Sequence, residues 1–544
     1  MGRPVLVPRR DELPQTRREW SADLVAGVTV GVVALPLAMG FGLASGVGAA
    51  SGLVTAIVAG IVAALFGGSN LQVSGPTGAM TVVLVPVIAA HGVSAVPVLA
   101  VMAGLIVLVA GWLGLGTSVT LIPWPVVEGF TVGIATIIFL QQIPVLLDVE
   151  RGPSTNTVVA TIDVLRRTRW SDSLSMLAVG LGVVVLVLAC RRLAPRAPGT
   201  LLAVVVATVA VAALDLTVPT IGVVHLGSIV HAPDVPGVGE LGRLLPSALV
   251  IALLAALESL LSARVADGMG DVAATDPDRE LQGQGLANVA SGLMGGLPAT
   301  GAIARTAVNV RAGARTRMAA VLHGLLLLVV LVGAARLLAL VPLAAIAAIL
   351  MVTAVHMVDV RTVRALVRAD RSSAAVLVIT AATTLLFDLA RAVEVGVLVA
   401  AVLVLRHSAR ASGIEEESLD GHVDDRQLRQ LLREHVVVYR LQGALFFGAA
   451  QQFLEELTNL DRTRVIVLRL GGLHLLDVSG AQVLAEAIDR FQEREIAVLL
   501  CGVRPRHHGV LGAVGIPGER LTPDRMFDNL PTALDEARRL AVGA

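Results

Sequence analysis

Three ionisable residues stand inside or at the edge of long apolar stretches of this 544-residue chain, where charge is costly and marks function by default. Glu258 lies in Ala255-Ala256-Leu257-Glu258-Ser259-Leu260-Leu261-Ser262, with Ser262 one helical turn on and on the same face. Its carboxyl either takes up a proton or a cation in a working cycle or serves a structural ion pair. Arg305 follows Thr300-Gly301-Ala302-Ile303-Ala304. It either binds an anion or pairs structurally, with Glu258 or with a carbonyl. Glu128, near the start of its own apolar run, reads as interfacial packing or a gate, with a part in coupling as the alternative.

A short repeat tells where these residues meet. Residues 74–81 read Ser-Gly-Pro-Thr-Gly-Ala-Met-Thr and residues 297–304 read Leu-Pro-Ala-Thr-Gly-Ala-Ile-Ala. Thr77-Gly78-Ala79-Met80 thus matches Thr300-Gly301-Ala302-Ile303. The same offset lays the first apolar span over the one that holds Glu258. Gly-Ala pairs also pack membrane helices closely with no further role. Here, however, each copy precedes a short span, and interrupted helices in corresponding halves mark a transport site. Half-helices beginning at Thr77 and Thr300 would turn free N–H groups and positive dipole ends toward an anion. Gly78 and Gly301 would allow close backbone approach, and Arg305 would lie about 7 Å into the second half-helix at 1.5 Å per residue.

The elements that must hold this arrangement are membrane spans. The chain is 55% hydrophobic and only 15% charged, with mean hydropathy +0.80. No Asp, Glu or Arg occurs between Leu24 and Val127, and the chain has no lysine. That excludes an ordinary soluble enzyme, a disordered chain and a Walker-type phosphate loop. Forty-two cations balance forty-two anions, which argues against a nucleic-acid partner. Cys190 and Cys501 stand alone, so neither a disulfide framework nor a cysteine-rich metal site is expected. Spans are expected at 22–42, 48–66, 76–90, 95–114, 123–140, 173–190, 200–214, 245–263, 281–295, 300–312, 318–336, 340–356, 373–388 and 391–406. Arginine clusters place both termini in the cytoplasm, with Arg166, Arg167 and Arg169 as the one exception. Trp20, Trp112, Trp124 and Trp170 fall at expected interfaces. The organisation expected is a tail over 1–20, a transport domain over 21–410 with halves near 21–215 and 244–408, a polar linker over 411–434 and an α/β domain over 435–544. Gly237-Val-Gly-Glu-Leu-Gly242 follows Pro236 in a polar loop and is discounted as a dinucleotide motif. His507-His508 reads as surface.

Taken together, these motifs resemble the SulP family of anion transporters, the prokaryotic relatives of the SLC26 exchangers. The opening span from Asp23 through Pro36 and Phe41, the segment Gln72–Thr81, and the long run Glu280–Thr306 with Gly313–Thr316 carry the resemblance, which spans essentially the whole chain. It implies an α-helical multi-pass bacterial membrane protein of about fourteen segments in two inverted repeats of seven, with a cytoplasmic STAS domain and a homodimeric state. It further implies an anion site lined by Phe41, Thr77, Gly78, Ala79, Thr300, Gly301, Ala302 and Arg305, with Glu258 and Ser262 in coupling. Sodium-bicarbonate members are similar but carry Asp and Thr at the Glu258 and Ser262 positions and lack the arginine at 305. The Glu and Arg here suit proton-coupled sulfate transport through an elevator-like cycle. A sodium- or proton-coupled bicarbonate or C4-dicarboxylate carrier is the alternative, and no other cofactor or metal is expected. Leu476-Asp477-Val478-Ser479-Gly480 resembles the STAS loop. Ser479 there either caps a helix or is phosphorylated by a cytoplasmic regulator. A membrane sensor signalling through the STAS domain is the reading from another class. It would carry a catalytic or DNA-binding output, and none is visible.

Overall fold

The computed structural model describes residues 8–117, 123–194 (without 153 and 155), 198–222, 238–269, 273–387, 413–417, 435–445 and 463–542, with a few positions between 395 and 403. The described residues form two compact units that divide near residue 397.

The first unit is helical apart from very short extended pairings. Its elements are α1 Arg17–Ser45, α2 Ala49–Phe66, α3 Gly78–His91, α4 Ala95–Trp112, α5 Trp124–Gln141, α6 Ile143–Leu147, α7 Thr157–Arg167, α8 Leu174–Leu193, α9 Gly199–Ala213, α10 Val238–Met269, α11 Pro277–Leu293, α12 Ile303–Arg311, α13 Met318–Gly333, α14 Ala335–Ala339, α15 Leu343–Met357, α16 Val360–Ala369 and α17 Arg371–Leu386. Seven of the described helices are long and apolar enough to cross a membrane, and four shorter apolar ones accompany them. Every expected span up to 373–388 contains a helix. The last, 391–406, lies largely outside the described residues, as do most of the linker and Gly237. All four tryptophans are exposed, as interfacial anchors should be.

Three amphipathic or very short helices, α6, α7 and α16, interrupt the expected loops. Their starts carry ordinary signals. The Asn156 side chain accepts from Val158 and Val159 N–H, and Asp359 accepts from Arg361 and Thr362 N–H.

Helices approach closely where glycine removes the side chain. A β-carbon on Gly104 of α4 would lie 2.7 Å from the Gly285 carbonyl of α11, and one on Gly285 2.6 Å from Leu108 N. Small-residue contacts of this kind are how membrane helices associate without a hydrophobic driving force. At the head of the unit, a Thr16–Glu19 capping box starts α1. Just before it, Glu12 bridges Arg279 at 2.5 Å and Arg317 at 3.0 Å, tying the N-terminal segment to α11 and to the start of α13.

The second unit is a five-stranded sheet ordered β3 Gly413–Glu416, β4 Val436–Leu445, β5 Val465–Leu476, β6 Ala497–Cys501 and β7 Met526–Phe527, all parallel after the antiparallel first pair. Side-chain alternation divides it into two faces. Ile466, Leu468 and Leu470 face α18 (Val478–Glu493) and α19 (His508–Ala513), whereas Val465 and Val467 face α20 (Leu530–Val542). Two readings need correction here. Asp477, not Ser479, caps α18, accepting from Gly480 N–H at 2.7 Å, because it stands just before the helix while Ser479 is already its second residue. Ser479 is exposed in the first turn. His507 is buried, and burial lowers its pKa, while His508 alone is surface.

Candidate functional site: two interrupted helices and a carboxylate

The chain between α2 and α3, and between α11 and α12, is unwound. Proline sets part of this: Pro76 and Pro298 hold the backbone extended just before them. The two unwound segments meet as a two-rung antiparallel ladder, β1 Ser74–Gly75 against β2 Thr300–Gly301, pairing Ser74 with Gly301 and Gly75 with Thr300.

Non-helical backbone at membrane depth survives only if its polar groups are satisfied by protein. Here side chains supply the partners. Asn288 accepts from Ala299 N–H and donates to its carbonyl, and Thr55 accepts from Leu297 N–H at 2.6 Å. Ser259 accepts from Gly301 N–H, and Thr306 accepts from Val73 N–H. Arg305 donates to the Pro76 carbonyl at 2.6 Å.

Thr77 is the N-cap residue of α3, and Gly78 begins the helix. The second half-helix does not start at Thr300. Ala302 is its N-cap residue and Ile303 its first residue, because Thr300 and Gly301 are spent in the ladder. Arg305 is therefore the third residue of α12, in its first turn, rather than some 7 Å along it. The matched threonines consequently play unlike backbone roles, yet their side chains converge.

The Thr77 and Thr300 hydroxyls both donate to the same Glu258 oxygen, at 2.8 and 2.7 Å, and lie 3.3 Å from each other. Thr300 is fully buried, while Thr77 and Glu258 are partly exposed. Arg305 is buried and makes no ion pair with Glu258; of the structural partners considered for it, the carbonyl is the one used. Ser262 is also drawn elsewhere, since its hydroxyl lies 2.9 Å from that of Thr306 within the packed interior. Phe41 is buried beside Gly78, whose β-carbon, if it had one, would sit 3.4 Å from the ring. Gly301 is equally constrained, as a β-carbon there would strike the Gln72 amide at 1.8 Å. Ala79 and Ala302 are buried at the two helix starts. Glu128 is buried in α5, outside this hydrogen-bonded group.

Sequence reasoning missed the supporting polar residues, namely Ser259, Asn288, Thr55, Gln284 and Thr306. A second buried chain runs from the Ser74 hydroxyl through Gln284 Nε2 to Glu280, whose other oxygen accepts from Gly68 and Ser69 N–H. The available signal was the recurrence of Ser, Thr, Asn and Gln within apolar spans. Such residues there must bond something, and the unwound backbone was the obvious claimant.

In chemical terms the site offers the first N–H groups of α3, two hydroxyls, a guanidinium and one carboxylate around a narrow space. An anion suits every donor present, and the carboxylate suits an anion only when it is neutralised.

Comparison with known proteins bears on the family of the chain. The chain matches the sulfate permease family over residues 21–380 and the STAS domain over 430–533. It is 35% identical over 509 residues to the putative sulfate transporter YvdB of Bacillus subtilis, covering 92% of this chain and 94% of that one. It is 32% identical to the bicarbonate transporter BicA of a Synechocystis species, covering 94% and 92%. Among solved structures, the transmembrane domain of a cyanobacterial BicA aligns at TM-score 0.64 and 34% identity, over 70% of this chain and 98% of that one. SLC26A9 aligns at TM-score 0.82 and 16% identity, over 96% and 91%, a likeness of fold.

Proposed function

The chain belongs to the sulfate permease family, and on that premise we propose that this multi-pass anion transporter imports sulfate across a bacterial cell membrane, coupled to protons, by an elevator-like alternating-access cycle. The observation that carries the reading is the paired donation of Thr77 and Thr300 to one oxygen of Glu258. A dianion approaching the start of α3 meets that carboxylate as a like charge. A proton on Glu258 removes the repulsion and frees the threonine hydroxyls to turn toward the anion. Arg305, anchored by one nitrogen to Pro76, adds a fixed positive charge beside the site. Binding of proton and anion is then mutually dependent, which is what symport requires. The arginine clusters put both termini on the cytoplasmic side. On the STAS domain, the exposed Ser479 suits phosphorylation by a cytoplasmic regulator, because the first turn of a helix favours negative charge.

Purified full-length protein in proteoliposomes tests this with labelled sulfate, bicarbonate and succinate under imposed proton or sodium gradients. The expected result is sulfate accumulation driven by an inward proton gradient and collapsed by a protonophore. Accumulation of bicarbonate or succinate alone would reject sulfate, and dependence on sodium alone would reject the coupling ion.

A further inference from the structure

The free end of α3 is covered from one side by a helix outside the site. A β-carbon on Gly78 would lie 2.1 Å from Ile138 Cδ1 of α5, so the glycine leaves just enough room for that side chain. Thr81 N–H makes the first intrahelical bond, to Thr77 O, which leaves the N–H groups of Gly78, Ala79 and Met80 facing the end of the helix. Ile138 and Phe41, both buried, stand against that end.

Helix α5 is held so that Ile138 points there. Its Gly129-Phe-Thr-Val-Gly133 run lies flat on α17: β-carbons at Gly129 and Gly133 would come within 2.5 Å of the Leu377 carbonyl and of Thr384 Cβ. Small residues four apart make such a pair rigid.

Beyond Ile138, toward the C-terminal end of α3, a cavity of about 620 Å³ opens between α3 and α10 on one side and α5 and α17 on the other. Val82, Val83, Pro246, Ile137 and Gln141 are among its lining residues. Val82 is one turn past Gly78, and Ile137 precedes Ile138. Among the described residues, the lining thus stops at residues adjoining Ile138 and includes neither Ile138 itself nor Thr77 or Glu258.

We propose that Ile138 is the seal of the transport site, an apolar side chain on α5 that closes the start of α3 against this cavity. An anion passes such a constriction only by shedding water against apolar walls, so a single aliphatic side chain suffices to block it. The proposal rests on the carrier reading for the identity of the site, but its test does not depend on transport.

With Cys190 and Cys501 replaced by alanine, Thr77→Cys reports access to the site and Val83→Cys reports access to the cavity. A membrane-impermeant charged thiosulfonate is applied from the cavity side to vesicles holding the full-length protein, and the ratio of the two labelling rates is measured. With Ile138 or Ile138→Met, which keeps the bulk, the ratio should be low. With Ile138→Ala it should approach one. An unchanged ratio in Ile138→Ala, or a ratio near one already with Ile138, overturns the seal. A rise in Ile138→Met equal to that in Ile138→Ala also overturns it, because the effect would then be general loosening. Gradient-free sulfate efflux, measured on matching preparations that keep Thr77 and Val83, should rise only in Ile138→Ala. Absence of any sulfate flux from the unmodified protein would count against the carrier reading and leave the labelling result standing.

Discussion

Glutamine in place of Glu258 removes the charge and keeps the shape. The amide oxygen can still accept from Thr77 and Thr300, which now donate at 2.8 and 2.7 Å to a carboxylate oxygen. A hydrogen bond to a charged group contributes about 1.5–3 kcal/mol and a neutral one about 0.5–1.5. Two bonds weakened in this way lose about 2 kcal/mol together, well within what a folded protein of this size tolerates. Had Glu258 formed a buried ion pair with Arg305, the loss would be about 3–5 kcal/mol, because an unpaired buried cation would remain. Arg305 is anchored to Pro76 instead. We therefore expect Glu258→Gln to express, insert and show a melting temperature only a few degrees below that of the unmodified protein. It should retain sulfate binding by calorimetry and sulfate counterflow, and lose accumulation driven by an inward proton gradient. All of these are measured on one preparation. Accumulation at the unmodified level would refute the coupling argument and turn attention to Glu128, the buried acid of α5. Loss of expression together with all binding would refute the energetic argument.

Thr300→Val keeps the volume of a fully buried side chain and deletes one donor; proton-driven sulfate uptake should fall while the melting temperature moves little, and unchanged uptake would remove Thr300 from the site. Deleting 435–544 should weaken or deregulate transport without abolishing sulfate binding, since every candidate anion residue lies in the first unit; complete loss of binding by calorimetry in an inserted protein would contradict this. Burial works to raise the pKa of Glu12, but the Arg279 guanidinium, the Arg9 N–H and Arg317 outweigh it and hold the carboxyl below its ordinary value of 4.5. A depressed folded-state pKa gives stability that is present above that value and lost as pH falls below it. Glu12→Gln should therefore lower the melting temperature near neutral pH, by about 2 kcal/mol in free energy, and flatten its decline below pH 4.5; an unchanged acid limb would show that the clamp does not titrate.

Much of this architecture was legible because lipid imposes so strict a demand. Charge-free runs marked the spans, and the Thr-Gly-Ala match pointed to the two interruptions that do meet. What sequence could not supply was register. Matching Thr300 to Thr77 by letter implied equal helix starts, whereas the ladder takes up Thr300 and Gly301 and delays the second helix to Ile303. Helical spacing likewise set Ser262 on the face of Glu258, but a competing hydroxyl, Thr306, lay nearer. The amphipathic helix α16 escaped notice because its arginines were read for sidedness and not for the Asp359 cap that opens it.

Counted from the two helix starts, Gly78 and Ile303, the two halves carry different reagents. Val33 then falls under Glu258, and Met80 under Arg305. Two copies of the first half would place no ionisable side chain at either position. Val33 and Met80 are, for the same reason, the positions at which a second carboxylate or cation could be introduced opposite the existing ones.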